Sequence, residues 1–322
     1  MLLIAAPGQG AQTPGFLQPW LEVPGIADHI AWWSAVTGLD LAHHGTAADA
    51  DEIRDTAVAQ PLLVAAALAA AEALGVGPGP GESAGSGDGA TGRTVPDAVA
   101  GHSVGELAAA AIAGVLSPEA ALVFVRERGR AMAEAAKQTP TGMTAVLGGD
   151  SGEVLAAIDK HGLTPANING AGQIVAAGTL EQLAAFADEP PAKARLRPLS
   201  VAGAFHTEHM EPAVETLRRI APGMPVADPV TRLLSNRDGA VVDAGADYVS
   251  RLVDQVSSPV RWDACMRAMA DLGVTAIIEL PPSGTLVGLA RRELSGVELL
   301  ALKKPEDLDK ARALIAEHGG VR

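Results

Sequence analysis

The sequence predicts an α/β protein: a large subdomain of alternating strands and helices, interrupted by a small inserted subdomain of ferredoxin-like type. Three observations predict it. Short, unbroken apolar runs at Leu2–Ala6 and Thr275–Leu280 read as strands buried on both faces, as in a parallel sheet. A compact strand, glycine-flanked turn and helix stand together around Gly101–Gly105. Midway along the chain the pattern changes to β-α-β-β-α-β, the order of a ferredoxin-like unit. The organisation is therefore residues 1–137 as the first part of the large subdomain, 138–202 as the insert, and 203–322 as the second part.

Each element follows from local signals. Leu2–Ala6 runs directly into Pro7-Gly8, a strand entering a turn. Pro61 opens an Ala- and Leu-rich helix that ends near Leu74 and Gly75, since Pro suits a first helical turn and Gly an end. From Gly77 to Pro96 the chain is dominated by Gly, Ser, Pro and Asp, and we assign it no secondary structure. Ala98–Ala100 is a strand end, Gly101–Gly105 a turn and Glu106–Leu116 a helix. Ser117-Pro118-Glu119 reads as an N-cap with Pro at the first position, opening a helix to about Ala136. Within the insert, strands are expected at Thr141–Leu147, Thr164–Ile168, Gln173–Ala177 and Arg195–Val201. Helices are expected at Ser151–His161 and Leu180–Ala187.

Composition narrows the function classes. The 322-residue chain is 48% hydrophobic and 19% charged, a globular balance, and only 3% aromatic, so Ala, Val and Leu must fill the core. Its net charge of −14 argues against nucleic acid as a partner, because phosphate binding relies on clustered Lys and Arg. Cys265 is the only cysteine, so no internal disulfide exists and a reducing compartment is expected. Met1–Ala6 is too short for the apolar core of a secretion signal and lacks a basic flank. The longest apolar stretches, Leu62–Ala71 and Leu107–Leu116, fall short of a membrane span. A soluble, cytoplasmic, monomeric protein is expected.

The chemistry centres on Gly101-His102-Ser103-Val104-Gly105. Gly-x-Ser-x-Gly between a strand and a helix places the serine hydroxyl on a strained, exposed turn, with the helix N-terminus behind it. Such a serine needs a base. His206, which follows Gly203-Ala204-Phe205 where the insert ends, is a candidate, and His209 is close behind it. His43 and His44 lie in a polar stretch and read as surface residues, and no His pair has a zinc-site context. Gly8-Gln9-Gly10 sits just past the first strand, where open α/β sheets bind ligands. It lacks the third Gly of a dinucleotide loop, and reads better as a backbone N–H aimed at an oxyanion beside that of Val104.

One arginine stands out of register. At 100° per residue Arg128 shares a face with Ala121, Phe124, Val125, Ala131, Met132 and Ala135, whereas Arg126 and Arg130 lie opposite. A buried guanidinium requires an anionic partner. Either a structural Asp or Glu pairs with it, or a bound carboxylate does so. The second alternative would select dicarboxylic acyl groups. A serine esterase or thioesterase would share the Ser103 turn but gain little from Arg128.

Taken together, Pro7-Gly8-Gln9-Gly10-Ala11-Gln12, Gly101–Glu106, Arg126-Glu127-Arg128-Gly129, Gly203-Ala204-Phe205-His206 and the segment Gln255–Trp262 resemble, in order, the motifs of the malonyl-coenzyme A:acyl carrier protein transacylase family. The resemblance is chain-long. It implies an α/β-hydrolase-like large subdomain, and transfer of malonyl from malonyl-coenzyme A to the phosphopantetheine thiol of acyl carrier protein by a ping-pong route. Fatty acid synthesis would be supplied, with polyketide synthesis as an alternative consumer. It further implies Ser103 as nucleophile, His206 as base, Gln9 and Val104 amides as oxyanion hole, Arg128 as the grip on the malonyl carboxylate, and Gln255 as the carbonyl supporting His206. Gln60 would also line the site. Phe205 beside the histidine, and Val104 rather than Gln, resemble malonyl-selective members. No metal or cofactor is implied. Lys193, Arg195 and Arg197 form a small basic cluster on the insert, a candidate docking point for an acidic carrier.

Overall fold

The computed structural model describes residues 1–77 and 93–319. Most of the Gly77–Pro96 loop, at 78–92, lies outside the described residues, but its ends are pinned by a bridge between Val76 and Thr94. Strand β1 (Leu2–Ala6) opens the chain, followed by α1 (Ile26–Thr37), α2 (Leu41–Thr46) and α3 (Thr56–Leu74). Strand β2 (Ala98–Gly101) runs into α4 (Gly105–Ile112) and α5 (Pro118–Ala136). Next come β3 (Thr141–Gly148), α6 (Ser151–Lys160), β4 (Thr164–Gly170), β5 (Gln173–Thr179), α7 (Leu180–Asp188) and β6 (Ala194–Pro198). The chain continues through α8 (Glu211–Ile220), β7 (Arg232–Leu233), α9 (Gly245–Asp254) and α10 (Trp262–Asp271). It closes with β8 (Ala276–Glu279), α11 (Thr285–Glu293), β9 (Glu298–Ala301) and α12 (Leu308–His318).

Two sheets result. The larger is parallel, in the order β7-β2-β1-β8-β9. Side chains of β1 alternate between its faces: Leu2, Ile4 and Ala6 join the core built with α3, α4 and α5, while Leu3 and Ala5 join the one built with α10 and α11. Burial on both faces explains why the strand reads as an unbroken apolar run. The smaller sheet is antiparallel, in the order β4-β5-β3-β6, with α6 and α7 against it. That is the strand order expected of a ferredoxin-like unit.

Helix α3 departs from expectation in its start. It begins at Thr56, and Pro61 lies inside it. The Asp55 carboxylate caps the helix by accepting the Ala57 N–H at 2.8 Å, and this N-cap outweighs Pro61, which removes only one N–H from an early turn. At 19 residues α3 is long and apolar enough to cross a membrane, yet 78% of its apolar window is buried inside the protein. Its all-round apolarity is that of a core helix, packed against α4 and α5. At the α3–α5 crossing, a Cβ on Gly129 would stand 2.9 Å from the Thr56 carbonyl oxygen, so only glycine permits this approach.

Main-chain bonds tie the insert to the large subdomain beside the site. Ile168 N–H donates to Val260 O, and Val260 N–H donates to Ala166 O, each at 2.9 Å. The C-terminal edge of β1 and β2, where the loops carrying Gln9 and Ser103 emerge, faces a cleft of about 230 Å³ between the two sheets. Glu279 at the end of β8 accepts the N–H groups of Gly284, Leu286 and Val287. It thereby fixes α11, whose Thr285, Leu286 and Leu289 close one wall of that cleft.

Candidate active site

Ser103 sits between β2 and α4 with φ 52°, a left-handed conformation that a non-glycine residue adopts only when its surroundings enforce it. Two glycines permit the turn. A Cβ on Gly101 would lie 2.1 Å from the Gly105 carbonyl carbon, and one on Gly105 would lie 2.2 Å from the Ala6 oxygen. Strand, elbow and helix therefore pack backbone against backbone, and the hydroxyl is turned out into the cleft.

His206, also at positive φ (62°), meets it there. Ser103 Oγ and His206 Nε2 are 2.7 Å apart, and His206 Nδ1 is 2.7 Å from the Gln255 main-chain oxygen. A carbonyl oxygen can only accept, so Nδ1 carries the proton and Nε2 offers its lone pair to the serine O–H. Burial, then the charge of Arg128, pushes the imidazole down to about 3, so it is neutral at physiological pH. His209 plays no part in this contact. Gln9 and Val104 both line the cleft, and among the described residues neither amide donates to a main-chain oxygen. The Val104 N–H belongs to the N-terminus of α4, where donors lack intrahelical partners.

Arg128 is 2% exposed, as its place on the apolar face of α5 predicts; of its neighbours there, Ala131 alone is only half-buried. The protein partners of this arginine are not the structural Asp or Glu of the first alternative. Arg128 donates through Nη1 to Gln60 Oε1 at 2.6 Å and through Nη2 to Gln255 Oε1 at 2.7 Å. Two neutral carboxamides thus hold it, and no Asp or Glu forms an ion pair with it among the described residues. Burial lowers its pKa to about 10, which leaves it charged. Gln60 and Phe205 line the cleft with Ser103 and His206. The structure accordingly brings Ser103, His206, Gln9, Val104, Gln60, Phe205, Arg128 and Gln255 into one site. Lys193, Arg195 and Arg197 stay apart, exposed on or beside the edge strand β6.

Residues 7–306 match the acyl transferase domain family. The malonyl CoA-acyl carrier protein transacylase of Mycobacterium tuberculosis (strain H37Rv) is 52% identical over 310 residues, covering 96% of this chain and 99% of that protein. The chain belongs to the malonyl CoA-acyl carrier protein transacylase family. The crystal structure of MCAT from Mycobacterium tuberculosis superposes with a TM-score of 0.89 at 51% identity, covering 97% of this chain and 99% of that one. A malonyl-transacylase solved in complex with a type II PKS acyl-carrier protein gives 0.86 at 28% identity, with 97% and 99% coverage.

Behind the elbow of this transacylase-family chain lies a polar network that the sequence did not reveal. Asn236, fully buried, accepts the Ser103 N–H at 2.7 Å and donates to the Gly101 carbonyl at 2.7 Å. Its own N–H donates to Glu106, 2.7 Å away. The only local signal is a polar pair, Ser235-Asn236, closing the apolar run Leu233-Leu234, and it reads equally well as the turn that Gly239 completes. Gln255 adds a second contribution: its Nε2 donates to the Ser103 carbonyl at 2.9 Å and to Glu106. On the cleft side, His102 Nε2 pairs with Asn169 Oδ1 of the insert at 2.9 Å.

Proposed function

We propose that this chain transfers the malonyl group from malonyl-coenzyme A to the phosphopantetheine thiol of acyl carrier protein through a malonyl-Ser103 intermediate. The observation that carries this reading is the pairing, in one site of an acyltransferase, of a Ser103–His206 contact at 2.7 Å with a buried arginine whose partners are uncharged.

Ser103 Oγ attacks the thioester carbonyl as His206 Nε2 takes its proton. The main-chain oxygen of Gln255 accepts from Nδ1–H and steadies the imidazolium, in the position where hydrolase triads use a carboxylate. The developing oxyanion lies against the amides of Gln9 and Val104, a donor pair of the kind whose single members are worth roughly 10²–10³ in turnover. Collapse breaks the carbon–sulfur bond, and coenzyme A leaves with the proton held by His206. The carrier thiol then attacks the malonyl ester, His206 takes the thiol proton, and Ser103 leaves as the hydroxyl.

Arg128 receives the free carboxylate of the malonyl group. Its charge is the second cause of the low His206 pKa, so a bound carboxylate relieves that effect and makes His206 a better base when the right acyl group is in place. The chemistry draws on side chains and backbone amides alone.

Mass spectrometry of the Ser103 peptide after exposure to malonyl- and acetyl-coenzyme A tests the reading. A malonyl mass on Ser103, absent from Ser103→Ala, is expected. Arg128→Ala should lose malonyl acylation far more than acetyl acylation, and equal losses would overturn the carboxylate-anchor role. Loading assays with fatty acid and polyketide carriers identify the acceptor.

A further inference from the structure

Glu106 is a buried acid that the transfer steps leave unused. It lies in the first turn of α4, just past the elbow, and is 1% exposed. Its hydrogen-bonding neighbours are donors: Asn236 N–H at 2.7 Å, Tyr248 O–H at 3.3 Å and Gln255 Nε2. The last contact has a consequence for Arg128. A carboxamide has one donating and one accepting end. With Gln255 Nε2 committed to Glu106 and to the Ser103 carbonyl, Oε1 is the end that faces Arg128, at 2.7 Å. Were the carboxamide reversed, its NH₂ would oppose the guanidinium N–H, donor against donor.

The same arrangement sets the charge balance. Glu106 attracts Arg128, but does so across the Gln255 side chain and not through an ion pair. A carboxylate in direct contact would neutralise the guanidinium that a substrate carboxylate needs, whereas an acid held one side chain away offsets part of the burial penalty without forming an ion pair.

We propose that Glu106 is a positioning residue which, through the Gln255 carboxamide, aims Arg128 and keeps it unpaired for the carboxylate of the incoming acyl group. The proposal rests on the reading of Arg128 as carboxylate anchor. Other titratable groups facing Glu106 are Arg128 from α5, Tyr248 from α9 and Cys265 from α10. Burial raises the tyrosine and the thiol above their usual ranges, and Arg128 stays charged, so none of the three changes charge between pH 5 and 8. Burial pushes the Glu106 carboxyl up to about 7, within that window. Protonation would turn an acceptor of the Gln255 amide into a competing donor.

The test measures rates of Ser103 acylation by malonyl- and acetyl-coenzyme A from pH 5 to 8.5 in wild type, Glu106→Gln and Arg128→Ala. Loss of a hydrogen bond to a charged group predicts that Glu106→Gln lowers the malonyl-to-acetyl ratio about 10- to 100-fold. The wild-type ratio should fall as pH drops through 7, and the Glu106→Gln ratio should not vary with pH. Equal losses for both acyl groups in Glu106→Gln, or a pH-independent ratio in wild type, would overturn the proposal. If Glu106→Gln does not fold, the wild-type pH series decides alone. Arg128→Ala separates the two ideas. A selective loss there, with none in Glu106→Gln, removes the role of Glu106 and leaves the anchor, whereas non-selective loss in Arg128→Ala removes the anchor itself.

Discussion

Asn236 clamps the elbow from behind, holding the N–H of Ser103 and the carbonyl of Gly101 with one carboxamide. Asn236→Ala leaves both groups buried without a partner, which costs about 1–3 kcal/mol for each group stranded in this way. The expected outcome is a lower unfolding free energy in denaturant titration together with a fall in Ser103 acylation rate. KM for malonyl-coenzyme A should change less, because Asn236 touches the elbow and not the acyl pocket. A loss confined to KM would contradict this account. Ser103, His206 and Arg128 were legible as residues, the first from the glycines around it and the last from its place on an apolar helix face. Asn236 and Glu106 were not, because each acts on a partner more than a hundred positions away.

At the scale of elements, the site depends on how closely α3 and α5 approach. Gln60 stands on α3 and Arg128 on α5, and their 2.6 Å hydrogen bond spans the crossing that Gly129 permits. Gly129→Ala places a methyl group against the Thr56 carbonyl, and overpacking of this kind costs typically 1–3 kcal/mol. We expect a lower melting temperature and a weakened malonyl preference, since the helices must separate and Gln60 moves with α3. A melting temperature unchanged from wild type would show that the crossing tolerates the methyl. The start of α3 illustrates what local signals miss. Pro61 suggested a beginning, but Asp55 caps the helix a turn and a half earlier.

At the scale of the molecule, the site lies in the cleft between the parallel sheet and the insert, and its burial gives the fold a particular response to pH. His206 titrates at about 3 in the folded protein against a reference value of 6.5, so below 6.5 the unfolded chain binds more protons and folding stability is lost as pH falls. Glu106 acts oppositely. Raised from 4.5 to about 7, it contributes stability that is fully present below 4.5 and lost as pH rises to 7. Between pH 4.5 and 6.5 the two contributions offset each other. His206→Gln removes the first, so relative to wild type this variant should gain about 2 kcal/mol of stability between pH 7 and pH 5. Urea unfolding of both proteins at the two values measures it, and an unchanged difference would show that His206 is not the buried neutral base described.

What the sequence determined by itself was whatever local geometry enforces: apolar runs that must be buried on both faces, a glycine-flanked serine that must turn, the βαββαβ order of the insert, and an arginine that helical periodicity places on an apolar face. What only the tertiary structure decided was which groups meet. The sequence required a partner for Arg128 and left open a structural acid or a bound carboxylate. The fold supplied Gln60 and Gln255, with Glu106 held one side chain away. The Ser103 hydroxyl was exposed by its own turn, but its base His206, its clamp Asn236 and the charge of Arg128 arrive from the loop between β6 and α8, the segment after β7, and α5. Hydrogen bonds are directional over about 3 Å, and no periodicity along a chain specifies such distances between residues that only folding brings together.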